Sequence, residues 1–142
     1  MKQKFSPKAR SKARQRVLQA LYQWQLTGQD KDIELILQQF LDDEEMRKVD
    51  LSYFDSLLRN IHQVVNKLDT AFAPFLDRSI SQLDPIELAI LRIGCYELNY
   101  CPDLPFKVVI NEAVELAKKF GAEKSHKYVN GILDKLARHN LK

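Results

Sequence analysis

The stretch DPIELAILRIGCYELNY, residues 84–100, limits what this chain can fold into more than any other. Its apolar residues Ile86, Leu88, Ala89, Ile90, Leu91, Ile93, Cys95, Tyr96 and Leu98 lie all around a helical wheel, not along one stripe. A helix that is apolar on every side must be covered on every side. The cover has to come from other helices, because no segment alternates apolar and polar residues in the manner of a half-buried strand. Asp84 and Pro85 set its start: the carboxylate accepts from orphan N–H groups of the first turn, and proline has no N–H to waste there. Glu87, Arg92 and Glu97 ride on the same helix, so each must reach water or find a partner, since an unpaired buried charge is costly.

The covering helices are legible. Seven are predicted in all. The first runs from about Pro7 to Leu26, with Ala9, Ala13, Val17, Leu21 and Trp24 as its buried line and Gly28 as its stop. A second spans about Lys31 to Leu41, with Ile33, Ile36, Leu37, Phe40 and Leu41 on one face. After the charged link DDEEMRK, Asp50 caps a third helix that carries Leu51, Phe54, Leu57, Leu58, Ile61, Val64, Val65 and Leu68 inward. A short fourth covers about Asp69 to Leu76 and is bent or ended by Pro74. The fifth is the central one. The sixth, about Phe106 to Phe120, buries Val109, Ala113, Leu116, Ala117 and Phe120 and stops at Gly121. Ser125 caps the seventh, whose Val129, Ile132, Leu133, Leu136 and Ala137 face inward. The expectation is an all-α chain that forms a single domain over residues 1–142, without repeats or a separating linker.

Chemistry is harder to find. His62, His126 and His139 are scattered, and Cys95 and Cys101 have no partner CxxC, so no zinc site is expected. No glycine-rich phosphate loop occurs, and the acids Asp42, Asp43, Glu44 and Glu45 read as a solvated link. His126 lacks a nucleophile or acid partner, so no catalytic group is assigned. Cys95 fits a small core residue. With no apolar run of membrane-spanning length and no secretory signal, the chain is expected in the cytoplasm.

Charge is the informative property. Residues 1–16 carry Lys2, Lys4, Lys8, Arg10, Lys12, Arg14 and Arg16 and no acid, whereas the other 126 residues hold 15 basic and 19 acidic side chains. Local cations on an acidic body point to a polyanion or an acidic partner. On the first helix Lys8, Lys12 and Arg16 form one line and Arg10 and Arg14 another, flanking the alanine line and expected to stay outside it. An arginine-bearing helix of this kind can neutralise RNA phosphates and stack on bases; a solvated face or a targeting segment would look the same. The seventh helix adds Lys124 and Lys127 at its positively polarised start and Tyr128 as a stacking surface. Gly131 inside that helix costs about 1 kcal/mol relative to alanine. It serves either helix packing or the close approach of a ligand backbone.

The segments LQALYQWQL (18–26), LRIGCYEL (91–98), PFKVVINEAVELAKKFG (105–121) and SHKYVNGILDKL (125–136) closely resemble the NusB family of bacterial transcription antitermination factors. The resemblance implies a fold of two packed helical-bundle subdomains. It implies binding of the boxA element of nascent ribosomal RNA together with the ribosomal protein NusE, in an RNA polymerase antitermination complex. On this sequence the implied RNA-binding set, with the cations read above, is Lys8, Arg10, Lys12, Arg14, Lys124, Lys127 and Tyr128. The implied NusE surface includes Tyr22, Leu26 and Glu87. Two positions depart from the family: Lys12 stands where arginine is common, losing a bidentate fork, and Lys124 where acidic or polar residues are common. No cofactor or membrane partner is implied, and the free protein could form a homodimer. A detached RNA-binding domain of an RNA cytosine methyltransferase, or a helical scaffold for a protein partner, are the competing readings.

Overall fold

The computed structural model describes residues 6–27 and 32–141. Lys2, Lys4, the stop at Gly28 and the start at Lys31 lie outside the described residues. Six α-helices follow one another: α1 (Pro7–Thr27), α2 (Ile33–Leu41), α3 (Leu51–Phe72), α4 (Pro85–Tyr100), α5 (Phe106–Phe120) and α6 (Ser125–Asn140). Short 3-10 turns occupy Glu44–Lys48, Ala73–Phe75 and Ile80–Gln82, and no strand occurs among the described residues. The all-helical class is as expected. The separate fourth helix is not: α3 continues to Phe72, which is fully buried, and only then tightens into the turn that holds Pro74. Proline lacks the N–H that an α-turn would need there.

The chain forms two compact units, Met1–Gln63 and Val64–Lys142. Their boundary falls within α3 at Val64, whose φ of −115° and ψ of 17° leave helical geometry.

In the first unit α2 packs on α1. The buried side chains are Val17, Leu18, Leu21 and Trp24 of α1, Ile36 and Leu37 of α2, and Phe54, Leu57, Leu58 and Ile61 of α3. Trp24 meets the His62 ring edge-on at 5.2 Å, and Phe40 stacks on Phe54 at 6.0 Å. Asp50 caps α3 as expected, its Oδ1 accepting from the Tyr53 N–H at 3.0 Å. Its own N–H donates to the Ala9 carbonyl at 3.2 Å and so ties the start of α3 to the first turn of α1. The acidic link is more ordered than its composition suggests. Asp43 caps the turn through the Glu45 N–H at 2.9 Å, Met46 is buried, and Glu45 is bonded to Arg16.

In the second unit α4 packs against both α5 and α6. Its middle, Ala89 to Cys95, is buried without interruption. Asp84 caps it through the Ile86 N–H at 2.7 Å. Gly94 permits the close approach to α6: a Cβ there would sit 2.6 Å from Leu133 Cδ1. Arg92 finds its partner in Asp69, with Nε–Oδ1 at 3.0 Å and an Nη at 2.8 Å from Oδ2. Glu97 is likewise buried and engaged. The Cys95 Sγ lies 3.7 Å from the Leu68 carbonyl, and burial pushes the thiol up to about 12, so it packs as a neutral group. Gly121 does end α5, but not through a left-handed backbone. Its φ is −91°, and the need is for room, since a Cβ would lie 2.8 Å from the Ala117 carbonyl oxygen and 2.9 Å from Ser125 Cβ.

Candidate nucleic-acid interface

Two cationic surfaces emerge, one in each unit. In the first, Lys8 is exposed, Lys12 is half-buried and Arg10 is half-exposed at the start of α1. The Arg10 guanidinium lies 4.3 Å from the centre of the Tyr53 ring, with its Nε 3.8 Å from the Asp50 carboxylate. A cation over an aromatic face gains electrostatic attraction and is held in one orientation.

Arg14 corrects the expectation of an exposed rail. Only 3% of it is accessible, and its guanidinium centre stands 5.3 Å from the same Tyr53 ring. The cause is the width of the buried face of α1. Leu18 and Leu21 follow Arg14 at four and seven residues and are buried with it. That spacing was present in the sequence, but the alanine line drew the buried face too narrowly. Arg16, on the other rail, is taken up by Gln19 at 2.9 Å and by Glu45. The cations of α1 that keep appreciable exposure are therefore Lys8 and Arg10, with Lys12 half-buried. Farther along α1, Tyr22 is half-buried and Leu26, one turn on, is 57% exposed. Glu87 is half-buried in the first turn of α4, in the other unit.

In the second unit Lys124, not Ser125, is the cap residue of α6, and no side chain caps this end. Ser125 is instead buried beside Gly121, where its small side chain lets the α5–α6 turn close. Lys124 and Lys127 are exposed. Tyr128 is more engaged than a free stacking surface would be. Its hydroxyl donates to Asp77 Oδ1 at 3.0 Å, and the Arg78 guanidinium lies 4.9 Å from the centre of its ring. Arg78 also forks onto Asp77, with bonds of 2.7 and 3.0 Å. Arg78 is the basic residue that sequence reasoning missed. It sits in a loop without periodicity, 50 residues from the ring it covers, so no local signal connects the two.

The Arg78 bond, followed by the Tyr128 hydroxyl, pulls the Asp77 carboxyl from 3.8 down to about 2. Burial and the bond to Asp77 push the Tyr128 phenol up, so it stays protonated and donating at neutral pH. Because the folded-state value of Asp77 is the lower one, its pairing favours the folded state above about pH 4 and is lost as pH falls through about 2. A carboxyl NMR titration of Asp77 is expected to show a midpoint near 2 that returns toward 3.8 in Arg78→Ala; an unchanged midpoint in the variant would remove Arg78 as the cause.

Among the described residues no group of three or more His, Cys, Asp or Glu side chains could hold a metal ion, and no helix is long and apolar enough to cross a membrane. What the surfaces offer is cations beside aromatic rings, a combination suited to phosphates and bases.

Comparison with known proteins gives these surfaces a context. The sequence profile of the NusB family matches residues 11–138. The transcription antitermination protein NusB of Nitrosococcus oceani is 55% identical over 132 residues, covering 91% of this chain and 85% of that protein. That of Actinobacillus succinogenes is 51% identical over 137 residues, covering 96% and 93%. Among solved structures, NusB of T. maritima superposes with a TM-score of 0.81 at 33% identity, covering 97% of this chain and 93% of that one. NusB from a crystal structure of antitermination factors NusB and NusE with double-stranded RNA superposes with a TM-score of 0.84 at 25% identity, covering 94% and 99%. These relatives are named for a role in transcription, not for catalysis. The chain belongs to the NusB family.

Proposed function

We propose that residues 1–142 act as one non-catalytic RNA-binding adaptor in the cytoplasm. It binds the boxA element of nascent ribosomal RNA together with NusE and helps an RNA polymerase antitermination complex to continue transcription. The observation that carries this reading is the match, over 94% of the chain, to a relative solved with NusE and RNA. Lys8, Arg10 and Lys12 on α1 and Lys124, Lys127 and Tyr128 on α6 are the proposed RNA contacts. Lysines and arginine release counterions from the phosphates, and the tyrosine ring, already aligned with Arg78, offers a stacking surface. Arg14 supports the site from beneath by holding Tyr53. Tyr22, Leu26 and Glu87 are the proposed NusE contacts; an exposed leucine beside a tyrosine is the kind of anchor a protein partner covers.

The test is a titration of single-stranded boxA RNA, a scrambled strand of equal composition and a duplex, each with and without NusE. The expected result is preference for boxA, increased by NusE. Equal affinity for the boxA and scrambled strands in the presence of NusE would refute the assignment.

A further inference from the structure

Among the described residues, Gly131 makes room for no neighbour. Gly94 and Gly121 each make room for a neighbour, whereas a Cβ built on Gly131 would meet nothing within 4 Å, and the backbone there is ordinary helix. Glycine weakens a helix interior relative to alanine, so an exposed, unpacked glycine in the middle of α6 is a loss without an internal return. Its surroundings suggest what it leaves room for. Lys127, Gly131, Asp134 and Arg138 follow at spacings of four, three and four and share one stripe of α6. Three residues of the stripe, Lys127, Asp134 and Arg138, line a groove of about 470 Å³ between α5 and α6, together with Phe106, Lys107, Asn111 and Asn130, among others, and Gly131 lies on the same stripe between them. Asp134, the acid of that lining, is already held by Arg138 at 2.9 Å. Among the described residues Lys107 and Lys127 have no ion-pair partner, which leaves the groove positive. Phe106 is 39% exposed at its wall.

We propose that this groove is an RNA subsite, occupied by the strand as it continues from the start of α6. The sugar–phosphate backbone crosses α6 at Gly131, where no side chain holds it off, and Lys107 and Lys127 neutralise the flanking phosphates. A base stacks on Phe106, and the amides of Asn111 and Asn130 present both donors and acceptors to base edges. The charge favours a polyanion over an apolar helix of a protein partner, and Lys127 makes the groove continuous with the RNA contacts proposed above. The inference rests on that functional reading.

The experiment compares Gly131→Ala, Gly131→Leu, Phe106→Ala and Lys127→Ala in boxA RNA binding, NusE binding and thermal unfolding. Gly131→Ala should raise Tm by about 3 °C, as expected for a better helix former in open space. It should at the same time weaken RNA binding several-fold, Gly131→Leu more than tenfold, and Phe106→Ala about fivefold or more. Higher stability with lower affinity is the signature that a merely structural role would not give. Should Lys127→Ala weaken RNA binding while the Gly131 and Phe106 variants bind like wild type, the groove is excluded and the wider RNA reading stands. Should the Gly131 variants lose NusE and keep RNA, the groove is a protein contact and the inference is overturned. Failure of the unaltered protein to bind RNA would end both.

Discussion

Replacing Asp69 by alanine is expected to lower the unfolding free energy by about 3–5 kcal/mol, since it strands a buried guanidinium without its counter-charge. Arg92 is nearly enclosed, with 7% of its side chain accessible, and it forks onto both oxygens of an Asp69 side chain that is 18% accessible. Taking Asp69 away keeps the cost of removing Arg92 from water and forfeits the forked ion pair that offsets it. Denaturant unfolding of the variant should show a lower midpoint with the same slope, because the surface exposed on unfolding hardly changes. The double variant Asp69→Leu with Arg92→Met should recover much of the loss, since an apolar pair of similar volume avoids the desolvation altogether. A loss of less than about 1 kcal/mol for Asp69→Ala would mean that water reaches Arg92 freely. The Asp77–Arg78 pair makes the contrast: it has the same forked geometry but lies in solvent, so its purpose is to align groups at the surface.

The second large effect is expected in RNA binding at varied salt. If four phosphates are neutralised, the log–log slope of affinity against salt is about −3 for a single strand, so a fourfold rise in salt weakens binding about 50-fold. The combined substitutions Lys8→Ala and Lys127→Ala should remove two of these contacts and bring the slope to about −1.4. Both lysines are exposed, one on each cationic surface, so folding should be unaffected. Arg14 is unsuitable for this purpose, because its burial over Tyr53 means that substitution there disturbs the packing of α1. An unchanged slope in the double variant would show that neither Lys8 nor Lys127 neutralises a phosphate.

The expectations that held are those whose cause lies within a few residues. Asp50 and Asp84 cap helices because a short carboxylate reaches N–H groups two or three residues on. The buried line of α6, Val129 to Ala137, follows from its period. The errors share a different character. Ser125 has the chemistry of a cap, yet burial beside Gly121 decided its place. The continuation of α3 to Phe72 was set by what Phe72 buries, not by the turn signal at Pro74.

By itself, then, the sequence determined that the chain is all helix, where most helices begin and end, and that its basic residues concentrate in the first 16 positions with two more lysines at the start of its last helix. These follow from local hydrogen bonding, side-chain period and charge count, which need no knowledge of neighbours. Only the tertiary structure decided which of those cations are free to meet a ligand. Arg14 turned inward because Tyr53 and the wide face of α1 offered a dry surface for its guanidinium. Tyr128 was paired with Asp77 and Arg78 across some fifty residues. A side chain's exposure and partners are set by what other segments bring to it, and that contact is made only when the chain has folded.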